Sequence, residues 1–246
     1  MDWIDQGLVL SARRHGENAL IVSLLTRDHG RYVGLVRGGA SSRHRGLYQV
    51  GNRLRTSWRA RLAEHLGTYG CEMERAYAAG LLHEPVPLLA LSSATTIIDM
   101  ALPERAPFPG LFNELETLVQ NLGESGWEAQ YVRWELALLV TLGFGLDLTE
   151  CAATGSIDDL VFVSPKSGRA VSAAAGEAWR DRLLPLPAFL IDGVEERKNR
   201  ETVSAEHLAA GLKLTGYFLA HHVLNHPRGG LPAVRERLAV KLGGSA

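Results

Sequence analysis

Residues 52–62, with the sequence NRLRTSWRARL, alternate between two kinds of side chain. An extended chain places successive side chains on opposite faces, and neighbours on one face lie roughly 6.5 Å apart. One face then holds Arg53, Arg55, Ser57, Arg59 and Arg61, and the other holds Leu54, Thr56, Trp58, Ala60 and Leu62. The stretch is therefore predicted to be a half-buried β-strand with a row of arginines on its outer face.

Several other stretches in the first eighty residues have the same character. They are short apolar or alternating runs, separated by Gly, Asn, Asp and Ser: QGLVLSARR, ALIVSLLT, RYVGLVRG and LGTYGCEMERA. The segment RDHGR, residues 27–31, is predicted to be a hairpin turn because Gly30 can adopt a positive φ. Five short strands without a helical period between them favour a small antiparallel barrel or sandwich.

The pattern changes to helical spacing after LLHEPVP, residues 81–87. Apolar side chains recur every three or four residues between 127 and 142, and Gly143 is a natural stop. A later helix is expected to begin at an N-cap on Ser204 and to end before Pro227. We predict an α+β chain with a β-barrel domain at 1–80 and a helical domain at 81–246. The helical domain carries an irregular insert at 148–176.

Length and composition limit the possible classes of protein. The chain has 246 residues, 46% of them hydrophobic and 22% charged, which is ordinary for a folded protein of two domains. Cys71 and Cys151 are far apart and imply no disulfide framework. The first ten residues lack the basic start of a secretory signal, and LALLVTLGFGL is too short to span a bilayer. We expect a cytoplasmic, nucleoid-associated protein that does not bind membranes.

Charge is divided unevenly along the chain. Residues 31–63 contain eight arginines, no lysine and no carboxylate, although the whole chain has a net charge of −1. Removing those eight from the 26 basic residues leaves 18 against 27 acidic residues elsewhere. A pocket for a small phosphate would need only two or three arginines, so a polyanion such as single-stranded nucleic acid is the better match. The predicted DNA-binding residues are Arg31, Arg37, Arg43, Arg45, Arg53, Arg55, Arg59 and Arg61.

A solvated charged face with salt bridges to the acidic helical domain is the alternative interpretation of this segment. Blocks of like charge of this length more often mark interaction surfaces.

Candidate catalytic and metal-binding patterns are weak. The sequence contains no phosphate-loop motif, nucleophile elbow or zincin pair, so no catalytic residue and no cofactor is predicted. His221, His222 and His226 lie near a predicted helix C-terminus, where histidine is favoured by the helix dipole, and metal binding there is not expected. The helical spacing of Trp127, Tyr131 and Trp134 favours a core or partner-binding role over base stacking.

Three segments in the right order resemble landmarks of a known family. GLVLSARRHGENALIVSLLTRDHGRYVGLVRGGASS, YVRWELALLVTLGFGLDLTECAATG and VSPKSGRAVS are similar to segments of the bacterial RecO family of recombination mediators. The resemblance implies an N-terminal OB-fold and a helical C-terminal domain. It also implies binding of single- and double-stranded DNA, strand annealing, partnership with RecR, contact with the C-terminal tail of the single-stranded-DNA-binding protein, and indirect work with RecA and RecF.

The resemblance also bears on a partner site and on zinc. It implies a partner-binding surface of Trp127, Tyr131, Arg133 and Trp134, since Arg133 matches an arginine that the family uses for the tail carboxylate. Many members hold zinc with two Cys-x-x-Cys pairs, but here Cys151 has no partner pair and the later pair is replaced within SAAAG, residues 172–176. One thiolate cannot build a tetrahedral zinc site, so we expect a zinc-less insert.

Our leading hypothesis is a non-enzymatic DNA-repair mediator. An RNA-binding OB-fold protein of translation or ribosome assembly is the alternative from another class. An enzyme whose basic barrel positions a nucleic-acid substrate is the third.

Overall fold

The structure is a computed structural model that describes residues 1–42, 44, 46–62, 64–191, 203–225 and 230–244. The chain forms two compact units, Met1–Gly123 and Glu124–Ala246. The position expected for a domain boundary, 80/81, lies just beyond the last barrel strand, which ends at Arg75, and the first compact unit continues past it through two more helices.

The first unit is built on a closed barrel of five strands in the order β1-β2-β3-β5-β4. The strands are β1 (Asp2–His15), β2 (Ala19–Thr26), β3 (Gly30–Val36), β4 (Arg53–Arg59) and β5 (Thr68–Arg75). The first half of β1 pairs with β4 and its second half pairs with β2, with a register shift between Val9 and Ser11. A parallel contact of Leu35 with Thr68 joins β3 to β5. The predicted α+β fold, with an N-terminal five-stranded β domain followed by a mainly helical region, is confirmed.

The alternation predicted for residues 53–59 is present, and it places one face of β4 in the barrel core. Leu54, Thr56 and Trp58 are at most 1% exposed, whereas Arg55 and Arg59 face solvent. The strand ends at Arg59, so Arg61 and Leu62 follow it in the next loop. The predicted hairpin turn is also present, and Gly30 has a φ of 74°. A Cβ on Gly30 would lie 1.8 Å from the carbonyl oxygen of Ala106, which is far inside contact distance.

Helices complete the first unit. They are α1 (Tyr77–Gly80), α2 (Pro85–Ala101) and α3 (Pro109–Asn121). Asp99 of α2 accepts hydrogen bonds from the hydroxyls of Ser11 and Ser23 at 2.9 and 2.6 Å, which fixes α2 against the outer wall of β1 and β2. Gly51 lets the loop before β4 approach α2, since a Cβ there would lie 2.6 Å from Leu91 Cδ1.

The second unit combines long helices with a small sheet. Its main elements are α4 (Trp127–Thr141), β6 (Leu160–Val163), β7 (Ala170–Ser172), α5 (Ala173–Gly176), β8 (Leu184–Pro185), α6 (Ala205–Phe218) and α7 (Ala233–Leu242). The predicted N-cap is present, because the Ser204 hydroxyl accepts from the His207 amide at 3.3 Å. Gly143 follows α4 with a φ of 85°. A π-helical turn, Leu219–Val223, extends α6, and the predicted stop at Pro227 lies outside the described residues.

Across the residues that the structure describes, no helix is both long enough and apolar enough to cross a membrane.

Candidate nucleic-acid interface

The outer face of β4 presents a row of polar side chains. Arg55, Ser57 and Arg59 are exposed and point away from the buried Leu54 and Trp58. The arginine row predicted from the sequence is therefore exposed at Arg55 and Arg59, with Arg61 following in the loop. We call Arg55, Arg59 and Arg61 the β4 face.

A shallow groove of about 610 Å³ lies beside the β4 face. Ile4, which is 66% exposed, forms part of its floor, and Gly70 opens it because glycine has no side chain. Arg59 lies on its wall. An apolar floor next to guanidinium groups can accept flat, apolar bases while the phosphates contact the cations.

Residues 31–63 contain no carboxylate, but carboxylates of β1 and β5 lie beside the arginines of β4. Glu72 of β5 lies opposite Arg55, and Asp2 of β1 lies opposite Arg59. The closest approach of Arg59 to Asp2 is 3.7 Å, between side chains that are 81% and 71% exposed. A pair so open to water contributes little and can exchange for a phosphate.

Two arginines of the predicted DNA-binding set have structural partners instead. Arg53 lies 3.0 Å from Glu74 Oε2 and donates to Glu116 Oε1 at 2.6 Å, so it joins the barrel to α3. Arg31 donates to the carbonyl of Leu102 at 2.8 Å and pairs with Asp99 and Glu104. Both side chains are less than 20% exposed. For these two residues the alternative of salt bridges to acidic helices describes the structure better than an open DNA-binding surface.

Two further arginines of the predicted set lie just beyond the ends of strands. Arg37 is exposed just after β3, and Arg61 is exposed just after β4. Arg43 and Arg45 lie outside the described residues.

Arg13 and Arg14 are exposed at the end of β1 and were not among the predicted DNA-binding residues. The adjacent basic residues RRH at 13–15 were the available signal.

The aromatic side chains predicted to bind a partner lie in the core of the second unit. Trp127, Tyr131 and Trp134 are 6%, 0% and 5% exposed, and the rings of Tyr131 and Trp134 are 5.8 Å apart. They pack the helices together, so these three side chains do not form the open apolar slot that a peptide tail would need. Burial of this kind is what helical spacing most often indicates.

Arg133 is half-buried and bound to its own unit. Its Nε and Nη2 atoms each donate to the carbonyl oxygen of Phe189 at 3.2 Å, and its guanidinium lies 5.5 Å from the centre of the Phe189 ring. Glu135, two positions further along α4, pairs with Arg235.

Cys151 lies in a tight turn at the start of the insert. The Cys151 amide donates to the Ser156 carbonyl at 2.7 Å, and the Gly155 amide donates to the Cys151 carbonyl at 2.8 Å. Its sulfur accepts from the Ser172 amide at 3.3 Å. Burial raises the pKa of the Cys151 thiol, but hydrogen bonds from Ser172, Thr154 and Ala153 outweigh it and lower the pKa to about 6.

The insert was predicted to lack zinc. Within the described ranges, no group of three or more His, Cys, Asp or Glu side chains is placed to hold a metal ion. We keep the expectation of a zinc-less insert as a prediction, since hydrogen bonds to Cys151 already occupy its sulfur.

The free energy of unfolding is expected to increase with pH because the Cys151 thiol loses its proton more easily in the folded state. A thiol with a pKa of about 6 in the folded state and about 8.5 when unfolded binds fewer protons when folded, so its contribution develops between these values. The contribution is complete above the unfolded pKa and lost as pH falls through 6, and its upper limit is about 3 kcal/mol. Urea unfolding between pH 6 and 8.5 measures it.

Cys151→Ser should flatten this pH dependence, because serine does not titrate in the range. Cys71→Ser is the matched control, since burial raises the pKa of Cys71 and that thiol stays protonated across the window. An identical pH slope for wild type and Cys151→Ser would show that the hydrogen bonds do not stabilise a thiolate.

Comparisons with known proteins cover both units. Residues 1–73 match the family model "Recombination protein O N terminal", and residues 82–231 match "Recombination protein O C terminal". A "DNA repair protein RecO" from Rhodospirillum centenum is 51% identical over 239 residues, which is 96% of this chain and 93% of the relative. A "DNA repair protein RecO" from Jannaschia sp. is 46% identical over 241 residues, which is 97% of this chain and 95% of the relative. The protein therefore belongs to the RecO family of DNA repair proteins.

Proposed function

We propose that this chain is a non-enzymatic recombination mediator that binds single- and double-stranded DNA and anneals complementary strands. Relatives named as DNA repair proteins, 45–51% identical over nearly the full length, support a role in DNA repair. The observation that supports direct DNA binding most strongly is the β4 face, where exposed Arg59 lines a groove that also contains the exposed side chain of Ile4, and exposed Arg55 lies on the same face of the strand.

The chemistry of the β4 face suits a polyanion whose sequence is not read. Guanidinium groups at regular spacing neutralise phosphates and release counterions from the strand, which favours binding to any sequence. The apolar floor allows bases to lie against the wall without hydrogen bonds that would select among them. We propose that Arg37, Arg55, Arg59 and Arg61 contact phosphates, and that Arg43 and Arg45 add to this surface.

Annealing follows from the same electrostatics. Two complementary strands repel each other along their whole length, and a protein that neutralises part of each backbone lowers this repulsion. No bond is made or broken in the covalent sense, so the reaction needs neither a catalytic residue nor ATP.

We propose partners of the same kind as those implied by the family resemblance. These are RecR, the C-terminal tail of the single-stranded-DNA-binding protein, and indirectly RecA and RecF, in loading RecA onto coated DNA. Arg133 remains our proposed contact for the carboxylate of the tail. The buried Trp127, Tyr131 and Trp134 would support the site from beneath without touching the peptide.

The test is annealing of two labelled complementary oligonucleotides in the absence of ATP. Wild type should accelerate annealing, and a β4 variant with Arg55→Ala, Arg59→Ala and Arg61→Ala should lose most of the acceleration. Binding to poly(dT) should exceed binding to a structured RNA of equal length. Stronger binding to the RNA, with no annealing, would contradict the proposal and favour an RNA-binding protein.

A further inference from the structure

One tryptophan of the second unit is largely open to solvent. Trp179 is 56% exposed, whereas the other four tryptophans of the chain are half-buried or at most 6% exposed. It lies on a short 3-10 helix, Glu177–Arg182, none of whose residues is buried. Packing of the core therefore does not account for this side chain, and tryptophan is one of the residues that contribute most at binding surfaces.

Both ends of this helix are anchored to the small sheet of the insert. At its start, Gly176 packs against the Phe162 ring of β6, and a Cβ there would lie 2.5 Å from a ring carbon. Just beyond its end the chain enters β8, in which Leu184 lies opposite Val163 of β6. The backbone that carries Trp179 is therefore fixed, although its side chain is exposed.

The side chains of the 3-10 helix fall into three rows, because residues three positions apart are eclipsed in such a helix. The rows are Glu177 with Arg180, Ala178 with Asp181, and Trp179 with Arg182. Each of the first two rows contains a carboxylate. The third row presents an aromatic ring and a cation without one.

Arg182 covers one face of the Trp179 ring. Its guanidinium carbon lies over the ring, 5.6 Å from the centre, which is a cation–π contact. No carboxylate among the described residues lies within ion-pair distance of Arg182. The exposure of Trp179 leaves the other face of the ring open. The helix dipole favours basic residues in the last turn, but it does not explain the exposed ring.

An open aromatic face beside an unpaired guanidinium suits one nucleotide of a single strand. A base can stack on the ring while a phosphate of the same strand contacts the cation, and stacking of this kind tolerates any base. A small anion would make no use of the ring. A protein partner would have to match charges of both signs in the other two rows, and a duplex keeps the faces of its bases within its own stack.

We propose that Trp179 and Arg182 form a base-stacking contact for single-stranded nucleic acid on the second unit. This inference rests on the proposed function, which requires binding of single strands, and it adds a contact outside the barrel. Stacking releases no counterions, so this contact should persist at salt concentrations that weaken the phosphate contacts of the β4 face.

Tryptophan fluorescence tests the proposal, because Trp179 is the tryptophan most open to solvent. A dT oligomer of about 40 nucleotides, several times the length that one OB-fold binds, should quench the emission of wild type and protect it from acrylamide. Trp179→Phe should remove this quenching and keep most of the affinity, since phenylalanine also stacks. Trp179→Ala should weaken binding about five- to a hundredfold.

Charge variants of the same helix are the matched controls. Arg182→Ala should weaken binding and reduce the salt slope by about 0.7. Arg180→Ala removes the same charge from the row that contains Glu177, and it should leave affinity and slope unchanged. The β4 variant should need more oligomer but reach the same final quenching. All of these side chains are exposed, so the fold should survive each change.

The possible failures are distinguishable. A wild type that does not bind the oligomer would overturn the proposed function and this inference with it. Oligomer binding of equal affinity in wild type and Trp179→Ala, without quenching in wild type, would overturn the stacking contact alone. If Trp179→Ala instead loses binding of the acidic tail peptide while DNA binding is unchanged, the surface belongs to a protein partner, and the stacking contact is again overturned.

Discussion

Arg235→Ala is expected to destabilise the second unit by about 3–5 kcal/mol. Arg235 and Glu135 are both 0% exposed, and their side chains pair through two N–H···O contacts. Arg235 Nη2 also donates to the Leu212 carbonyl at 2.9 Å, and the Thr215 hydroxyl donates to Glu135 Oε2 at 2.6 Å. Alanine would leave the Glu135 carboxylate buried without its cation, and this uncompensated charge is the source of the cost.

Urea unfolding followed by a probe of the second unit measures this effect. Arg237→Ala is the matched control, because Arg237 lies on the same helix and is exposed, and it should change the free energy of unfolding by less than about 0.5 kcal/mol. Replacing both partners, as in Glu135→Leu with Arg235→Met, should recover most of the loss. A cost below about 1 kcal/mol for Arg235→Ala would mean that the pair does not hold the helices together.

The β4 variant is expected to bind poly(dT) about ten- to a hundredfold more weakly near physiological salt. Each contact with a single-stranded phosphate changes the salt slope by about 0.7, so losing three contacts removes one to two orders of magnitude in affinity. The loss should be the same for all sequences, because phosphate contacts carry no base information. Its fold should survive, since all three side chains are exposed.

Arg53→Ala is the matched comparison on the same strand, and it is expected to affect stability and not DNA affinity. Arg53 joins Glu74 and Glu116, so its loss should lower stability while poly(dT) binding hardly changes. Arg→Lys at the three β4 positions should retain much of the affinity, because contacts with phosphates depend more on positive charge than on the planar geometry of the guanidinium group. Equal losses of DNA affinity for Arg53→Ala and the β4 variant would refute the assignment of separate roles.

Local rules were sufficient to predict the barrel strands. The alternation at 53–59 needs only the period of an extended chain, and the turn at Gly30 and the cap at Ser204 depend on residues at most four positions away. These signals are local, so one sequence reveals them.

The ion-pair partners could not be predicted from local sequence patterns. Arg53 and Glu116 are 63 positions apart, Arg31 and Asp99 are 68 apart, and Arg235 and Glu135 are 100 apart. The sequence could not show which arginines of the run are paired; among the described ones, tertiary structure gives Arg31 and Arg53 largely buried partners and Arg59 an exposed one, Asp2. A similar limit applies to the aromatic residues of α4: helical spacing most often indicates a buried face, but it does not show whether the protein itself or a partner covers that face.

The salt dependence of poly(dT) binding tests DNA recognition by the barrel arginines most directly. If about five of them contact phosphates, the logarithm of affinity should fall against the logarithm of salt with a slope near −3.5 for wild type, and the β4 variant should be shallower by about two. An unchanged slope in a folded β4 variant that also anneals normally would place the DNA site elsewhere in the chain.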